Sequence, residues 1–246
     1  MAGDPRAVWR SFCIAQRVAA NSVSLFKLEP SGKVAVRSIG MQKDRRVLER
    51  SSEMEAAVIR EVGKLHIDWN AGTHLCDGLI YLMFWLDRGQ EVVPLYIGKA
   101  ETAGRNDGAF SANLTDLERD RGKFARWGDG YAYHIGNLSA CVLPGHKPEK
   151  ATVKYRSWAA RLFEEVPAEA PCLGRDVRLW VKAWPCEAIG IWPEFGPTRL
   201  SFLEYLMIGV ASAAFPDTLL NREGHNRTPH RPLESDLSQV NSLHLT

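Results

Sequence analysis

The chain has 246 residues, 45% hydrophobic and 24% charged, with a formal net charge of +2. This is an ordinary globular composition, sized for one domain with additions or two small ones. The near-neutral charge excludes a protein that coats nucleic acid by bulk charge, but leaves room for a local basic groove. No apolar run approaches the roughly 20 residues of a membrane span, so no membrane partner is expected. MAGDPRAVWRSFC lacks the apolar core of a signal peptide. Cys13, Cys76, Cys141, Cys172 and Cys186 are scattered and form no CxxC pair. Neither a zinc knuckle nor a disulfide framework is expected, and the compartment reads as reducing and cytoplasmic.

Residues 1–75 read as an accessory region. SVSLFKLEPSGKVAVRSI alternates apolar and polar residues on each side of Pro30-Ser31-Gly32, which predicts a hairpin. Ser51 or Ser52 is placed to cap a helix from Glu53 to Leu65, with Val58, Ile59, Val62 and Leu65 on one stripe. Arg45, Arg46, Arg50 and Arg60 make the region basic. They are either a solvated face or contacts to a DNA backbone.

The stretch from Gly78 to Arg105 predicts two strands about a tight turn. Leu79–Leu86 and Val92–Ile97 are apolar, and Asp87-Arg88-Gly89-Gln90 breaks them. A hairpin closing symmetrically about Arg88-Gly89 sets Tyr81 directly opposite Tyr96, two phenols on one face. An odd-length loop would break that register. Gly98, Gly104 and Gly108 follow, with Lys99 and Arg105 flanking the loop. Such glycines let backbone approach a bulky anion. Ser111 to Arg121 predicts a short helix with Leu114 and Leu117 inside.

ARWGDGYAYHIGNLSACV fits no helical period and gathers Tyr131, Tyr133 and His134. His134 is a candidate proton carrier because imidazole titrates near neutrality, with core packing as the alternative. Pro148 to Val166 predicts a helix with Lys147, Lys150, Lys154, Arg156 and Arg161 on its polar side. Val177, Leu179, Val181 and Ala183 alternate as a third core strand. Thr198 is expected to cap a helix from Arg199 to about Ala214. On it, Glu204 has Leu200, Met207 and Ile208 as helical neighbours, so its carboxylate projects from an apolar face. Ser201-x-x-Glu204 also spells a capping box. Asn221 follows Glu204 by 17 positions.

Gly78-Leu79-Ile80-Tyr81, Tyr96-Ile97-Gly98 and Arg105 together resemble the GIY-YIG nuclease family. The second motif matches as written; in the first, Leu79 stands between Gly78 and Ile80-Tyr81. The resemblance spans Cys76 to about Asn226 and implies a nuclease core over 76–226, followed by a tail over 227–246. It implies an α+β fold with a small three-stranded antiparallel sheet flanked by helices, preceded by the accessory hairpin and helix. It also implies a DNA endonuclease leaving 5′-phosphate and 3′-hydroxyl ends, with Mg2+ or Mn2+ held by Glu204. Tyr81 becomes the base, Tyr96 orients water or phosphate, and Arg105 steadies the pentavalent phosphate, with Arg126 as its rival. Lys99 and Arg126 are nucleic-acid contacts, and His134 and Asn221 join the candidate site. Restriction, defence or mobile-element biology is the expected setting. The alternative is a catalytically inactive nuclease-fold module that binds nucleic acid or regulates.

Overall fold

A computed structural model describes residues 4–40, 45–104, 108–121, 127–128 and 134–222. The elements are α1 (Pro5–Ala15), β1 (Val23–Ser24), β2 (Val36–Ile39), β3 (Arg45–Leu48), α2 (Ser52–Ala71), β4 (Cys76–Leu86) and β5 (Val92–Glu101). Then come α3 (His134–Val142), α4 (Val153–Leu162), β6 (Arg178–Pro185) and α5 (Leu200–Ala214). The fold is α+β. An antiparallel sheet runs in the order β1-β6-β4-β5, and β2 and β3 form a separate two-stranded ribbon. Three of the four strands are those expected. The fourth, β1, comes from the N-terminal region, where Val23 pairs with Leu179 and the Leu25 amide bonds the Val177 carbonyl.

The hairpin departs from the symmetric register twice. The Gln90 amide donates to the Asp87 carbonyl, and the Asp87 amide to the Glu91 carbonyl, enclosing a three-residue loop. Gln90 takes the left-handed conformation (φ +61°), the usual ending of such loops. The Asp87 carboxylate secures the turn by accepting from the Gly89 and Glu91 amides, each at 2.8 Å. This odd loop alone would put Tyr81 and Tyr96 on opposite faces. A bulge opposite Met83/Phe84 then inserts Leu95, since Met83 pairs with Tyr96 but Phe84 with Pro94. The two one-residue shifts add. Tyr81 lies opposite Gly98, Tyr96 lies opposite Met83, and both phenols return to one face, diagonal rather than directly opposed.

Helices cover both sides. Trp180 and Trp184 alternate with Val181, the partner of Tyr81, and so point away from the tyrosines. Trp180 meets Phe12 of α1 edge-on, and the Trp184 indole donates to the Thr198 carbonyl just before α5. α1 and α5 thus lie opposite the tyrosine face. α1 was not foreseen: Asp4 caps it, Pro5 opens it, and Trp9, Phe12 and Cys13 form its buried stripe. α2 starts as expected, with the Ser51 hydroxyl accepting from the Met54 amide, and continues to Ala71.

Elsewhere local expectations give way. Over 112–119 the chain forms turns instead of a helix, because Asp116 takes φ +57°; Leu114 and Leu117 are still buried. α4 is limited to Val153–Leu162, after a 3-10 turn at Pro148–Lys150. It ends where Phe163 bridges Leu173. His134 opens α3 rather than sitting in a loop. Side chains also reach the sheet margins. Glu61 of α2 accepts from the Ala183 amide at 3.0 Å, and Asn221 holds both the amide and the carbonyl of Ile97.

Candidate active site

Tyr81 and Tyr96 have ring centroids 6.3 Å apart, inclined at 36°. A glycine at 98 is a steric requirement here: an added Cβ would lie 2.5 Å from the Tyr81 ring carbon and hydroxyl. The Tyr81 phenol therefore rests directly on the backbone of the second motif. Gly78 has a similar constraint at the first, where φ is +151° and a Cβ would run into the Ala100 carbonyl oxygen. Gly98 thus serves close packing on Tyr81, whereas Gly78 serves the close approach of β5 and of Leu200 of α5.

Aromatic groups surround the pair. Trp127 meets Tyr81 edge-on at 6.1 Å, and His134 lies 5.3 Å from Tyr96 and stacks on Trp158 at 5.1 Å. The His134 Nδ1 is 2.6 Å from the Tyr155 hydroxyl. Lys154 places its ammonium 4.9 Å over the Tyr96 ring and 5.4 Å from the rings of Tyr155 and Trp158, within cation–π range. Tyr81 is 3% exposed and His134 4%. The indole N–H groups of Trp127 and Trp158 are buried and have no hydrogen-bond acceptor among the described residues. Sequence reading singles out neither Tyr155 nor Trp127, and takes Lys154 and Trp158 only as part of a helical pattern. The signal that could have found them is the spacing of Lys154, Tyr155 and Trp158, which puts all three on one side of α4.

Arg50 proves to be an internal tether and not a DNA contact. Its side chain is 3% exposed; it donates to the Trp127 and Arg121 carbonyls and to Glu55. It therefore anchors the backbone that carries Trp127 over Tyr81. Arg60 bonds Glu61 at the sheet margin, and Arg46 pairs with Glu169 beside the β2–β3 ribbon.

Glu204 is half-buried, and its neighbours Leu200, Met207 and Ile208 are buried as the helical spacing required. Neither expected cap forms. Thr198 is buried and its hydroxyl donates to the Gly196 carbonyl. Ser201 lies inside α5, where its hydroxyl donates to Glu101 at 2.8 Å. Asp77, at the start of β4, caps α5 from outside by accepting from the Leu200 amide at 3.0 Å and from Arg199. Burial alone would push the Asp77 carboxyl up; the Arg199 and Leu200 hydrogen bonds outweigh it and hold the carboxyl below its ordinary range.

Lys99 bonds Ser201 and Glu101 on the α5 side of β5, facing away from Gly98 and the tyrosines. Asn221 is buried, and both ends of its amide engage the backbone of Ile97, between Tyr96 and Gly98. These are the contacts of a positioning residue. Arg105 and Arg126 lie outside the described residues, as do Tyr131 and Tyr133. Tyr81, Tyr96 and His134 are thus brought together, while the Lys99 side chain, on the same strand as Tyr96, faces α5, and Glu204 lies on α5, which covers the opposite face of the sheet. Comparison with protein-family models, curated proteins and solved structures finds no match to the chain.

Proposed function

We propose that the chain is a divalent-metal-dependent endonuclease of GIY-YIG type, cutting DNA to 5′-phosphate and 3′-hydroxyl ends. One observation carries this reading. Two independent backbone irregularities, the three-residue loop and the Leu95 bulge, add to a two-residue shift, so that Tyr81 and Tyr96 share a face over Gly98. In this reading Tyr81 takes a proton from the attacking water and Tyr96 orients that water or the phosphate. Arg105 steadies the phosphate as charge accumulates, and Arg126 is the rival for that role. In the same reading His134, whose Nδ1 is 2.6 Å from the Tyr155 hydroxyl, would move a proton beside Tyr96.

Among the described residues no group of three or more His, Cys, Asp or Glu could hold a metal ion. Hydrated magnesium, however, commonly takes only one or two carboxylates. A half-buried carboxylate, costly to keep charged beside apolar side chains, fits that need. Glu204 is the carboxylate this reading gives the magnesium or manganese ion, which when bound would neutralise charge on phosphate oxygens; α5 covers the sheet face opposite Tyr81 and Tyr96, so the residues as arranged here fit a shared metal site only in part. A restriction, defence or mobile-element setting follows from the same reading, as does a cytoplasmic location.

The burial of Tyr81 and His134 favours one second reading, a nuclease-like module that binds nucleic acid without cutting it. Plasmid incubated with the protein in magnesium, and then in EDTA, separates the two. Cleavage that EDTA stops is expected. Glu204→Gln should remain folded, melt no lower than wild type without metal, and lose cleavage. Tyr81→Phe and Tyr96→Phe should fold and cut far more slowly. An uncut plasmid with magnesium or manganese, in the presence of demonstrable DNA binding, would transfer support to the non-cutting module.

A further inference from the structure

We infer that duplex DNA lies along a single cationic track running from the β2–β3 ribbon, over the His146-Lys147 turn and onto the first turn of α4, where it meets the tyrosine pair. The inference rests on the nuclease reading and gives its substrate a path. The ribbon pairs Ser38 with Arg46 and Ile39 with Arg45. A cleft of about 260 Å3, lined by Arg45, Arg46, His146 and Glu169, lies between this ribbon and the turn after α3. His146 Nε2 is 2.8 Å from the Arg46 carbonyl oxygen, so the turn is tied to the ribbon rather than merely near it. Beyond it Lys147, Lys150 and Lys154 follow at intervals of three and four residues. From Lys147 to Arg161 there are five cations and one acid, Glu149. Lys147 is exposed, Lys150 and Lys154 are half-exposed, and the Lys154 ammonium ends over the Tyr96 ring.

Several cations drop out of the path. Arg50 is internal, Arg60 and Lys64 lie at the β6 margin, and Arg161 donates to the Asp217 carbonyl; on the track itself Arg46 is paired with Glu169, so the lysines carry most of its net charge. Because the whole chain carries only +2, the cations of the track stand out as a local concentration of charge. A duplex suits such a track because its phosphates recur regularly, and each one neutralised releases condensed counterions. Ring faces hold the Lys154 ammonium by their quadrupole, which leaves it oriented at the end of the path nearest the tyrosines.

The test measures affinity for a labelled 30-base-pair duplex against salt, with EDTA present so that no cutting intervenes. Lys150→Ala combined with Lys154→Met should flatten the log affinity against log salt slope by about 0.9 for each phosphate no longer neutralised. Lys154→Arg, which keeps the charge, should retain the wild-type slope. Arg10→Ala combined with Arg60→Ala, two exposed cations off the track, should also retain it. Matched melting temperatures confirm that each variant is folded. If wild type binds and the track variant keeps its slope, or the off-track variant loses as much, the track is overturned while the nuclease reading stands. A wild type that binds no duplex at any salt overturns both.

Discussion

Gly98 and Tyr81 form a single packing unit, in which a residue without a side chain makes the seat for a phenol. Replacing Gly98 with alanine puts a methyl group where the Tyr81 ring lies, 2.5 Å from its outer atoms. Tyr81 is 3% exposed and walled by Trp127 and Tyr96, so the ring has little room to yield. Overpacking of this kind typically costs about 1–3 kcal/mol. Gly98→Ala is expected to fold with a lower melting temperature and to cut DNA much more slowly than wild type. Calorimetry and plasmid cleavage on the same sample check this; unchanged values for both would mean that Tyr81 has a second, equally good position. Gly104 and Gly108, which have no such ring above them, should tolerate alanine differently: Gly108 is at φ +65° and has only its backbone conformation to lose.

At the scale of elements, α5 depends on a cap supplied by another strand. Asp77 takes the Leu200 amide and the Arg199 side chain, and its own side chain is 13% exposed. Asp77→Asn should lower stability by roughly 1.5–3 kcal/mol, the range for hydrogen bonds to a charged partner. The folded carboxyl is held below its ordinary value of 3.8. Its contribution is therefore present above that value and lost as pH falls through the lower, folded one. The stability gap between wild type and Asp77→Asn should be full at pH 6 and close under acid conditions in chemical denaturation. A gap that widens in acid would contradict the assignment.

The same two elements show what the sequence could and could not reveal. Alternation at Val177, Leu179, Val181 and Ala183 is enough to place β6 even though Trp180 and Trp184 are buried on its other face, because Arg178 and Lys182 still mark the period of two. The Ser51 cap of α2 is legible because donor and acceptor are three residues apart. Asp77 and Leu200 are 123 residues apart, and only the sheet brings them together. The hairpin register fails for a different reason. Gly89 draws the turn's centre, whereas Gln90 takes the positive φ. Pro94 is the readable warning, since a proline inside a strand often marks a bulge. The tyrosines' shared face is expected from the wrong register, and two one-residue shifts in the same direction restore it. The aromatic surround of α3 and α4 arrives through tertiary packing, for which one sequence carries no period.

Across the whole molecule, the N-terminal region belongs to the same packing as the hairpin. Trp9, Phe12, Val18, Leu25, Phe26 and Leu48 join one continuous buried cluster with Tyr81, Trp180 and Met207. A chain lacking residues 1–50 should therefore lose cooperative thermal unfolding and near-ultraviolet dichroism; a sharp melt near the wild-type temperature would show that 51–222 folds independently. No helix among the described residues is long and apolar enough to cross a membrane. The side chains at the sheet margins have a further effect. Asn221 occupies the Ile97 backbone, Leu220 donates to Leu95, Thr218 to Pro94, and Glu61 takes the Ala183 amide. A bare margin offers its amides and carbonyls to any passing strand. At these positions the groups are already engaged, and the outer strand β1 is only two residues long, so the sheet gives a neighbouring chain little template on which to grow into a fibril.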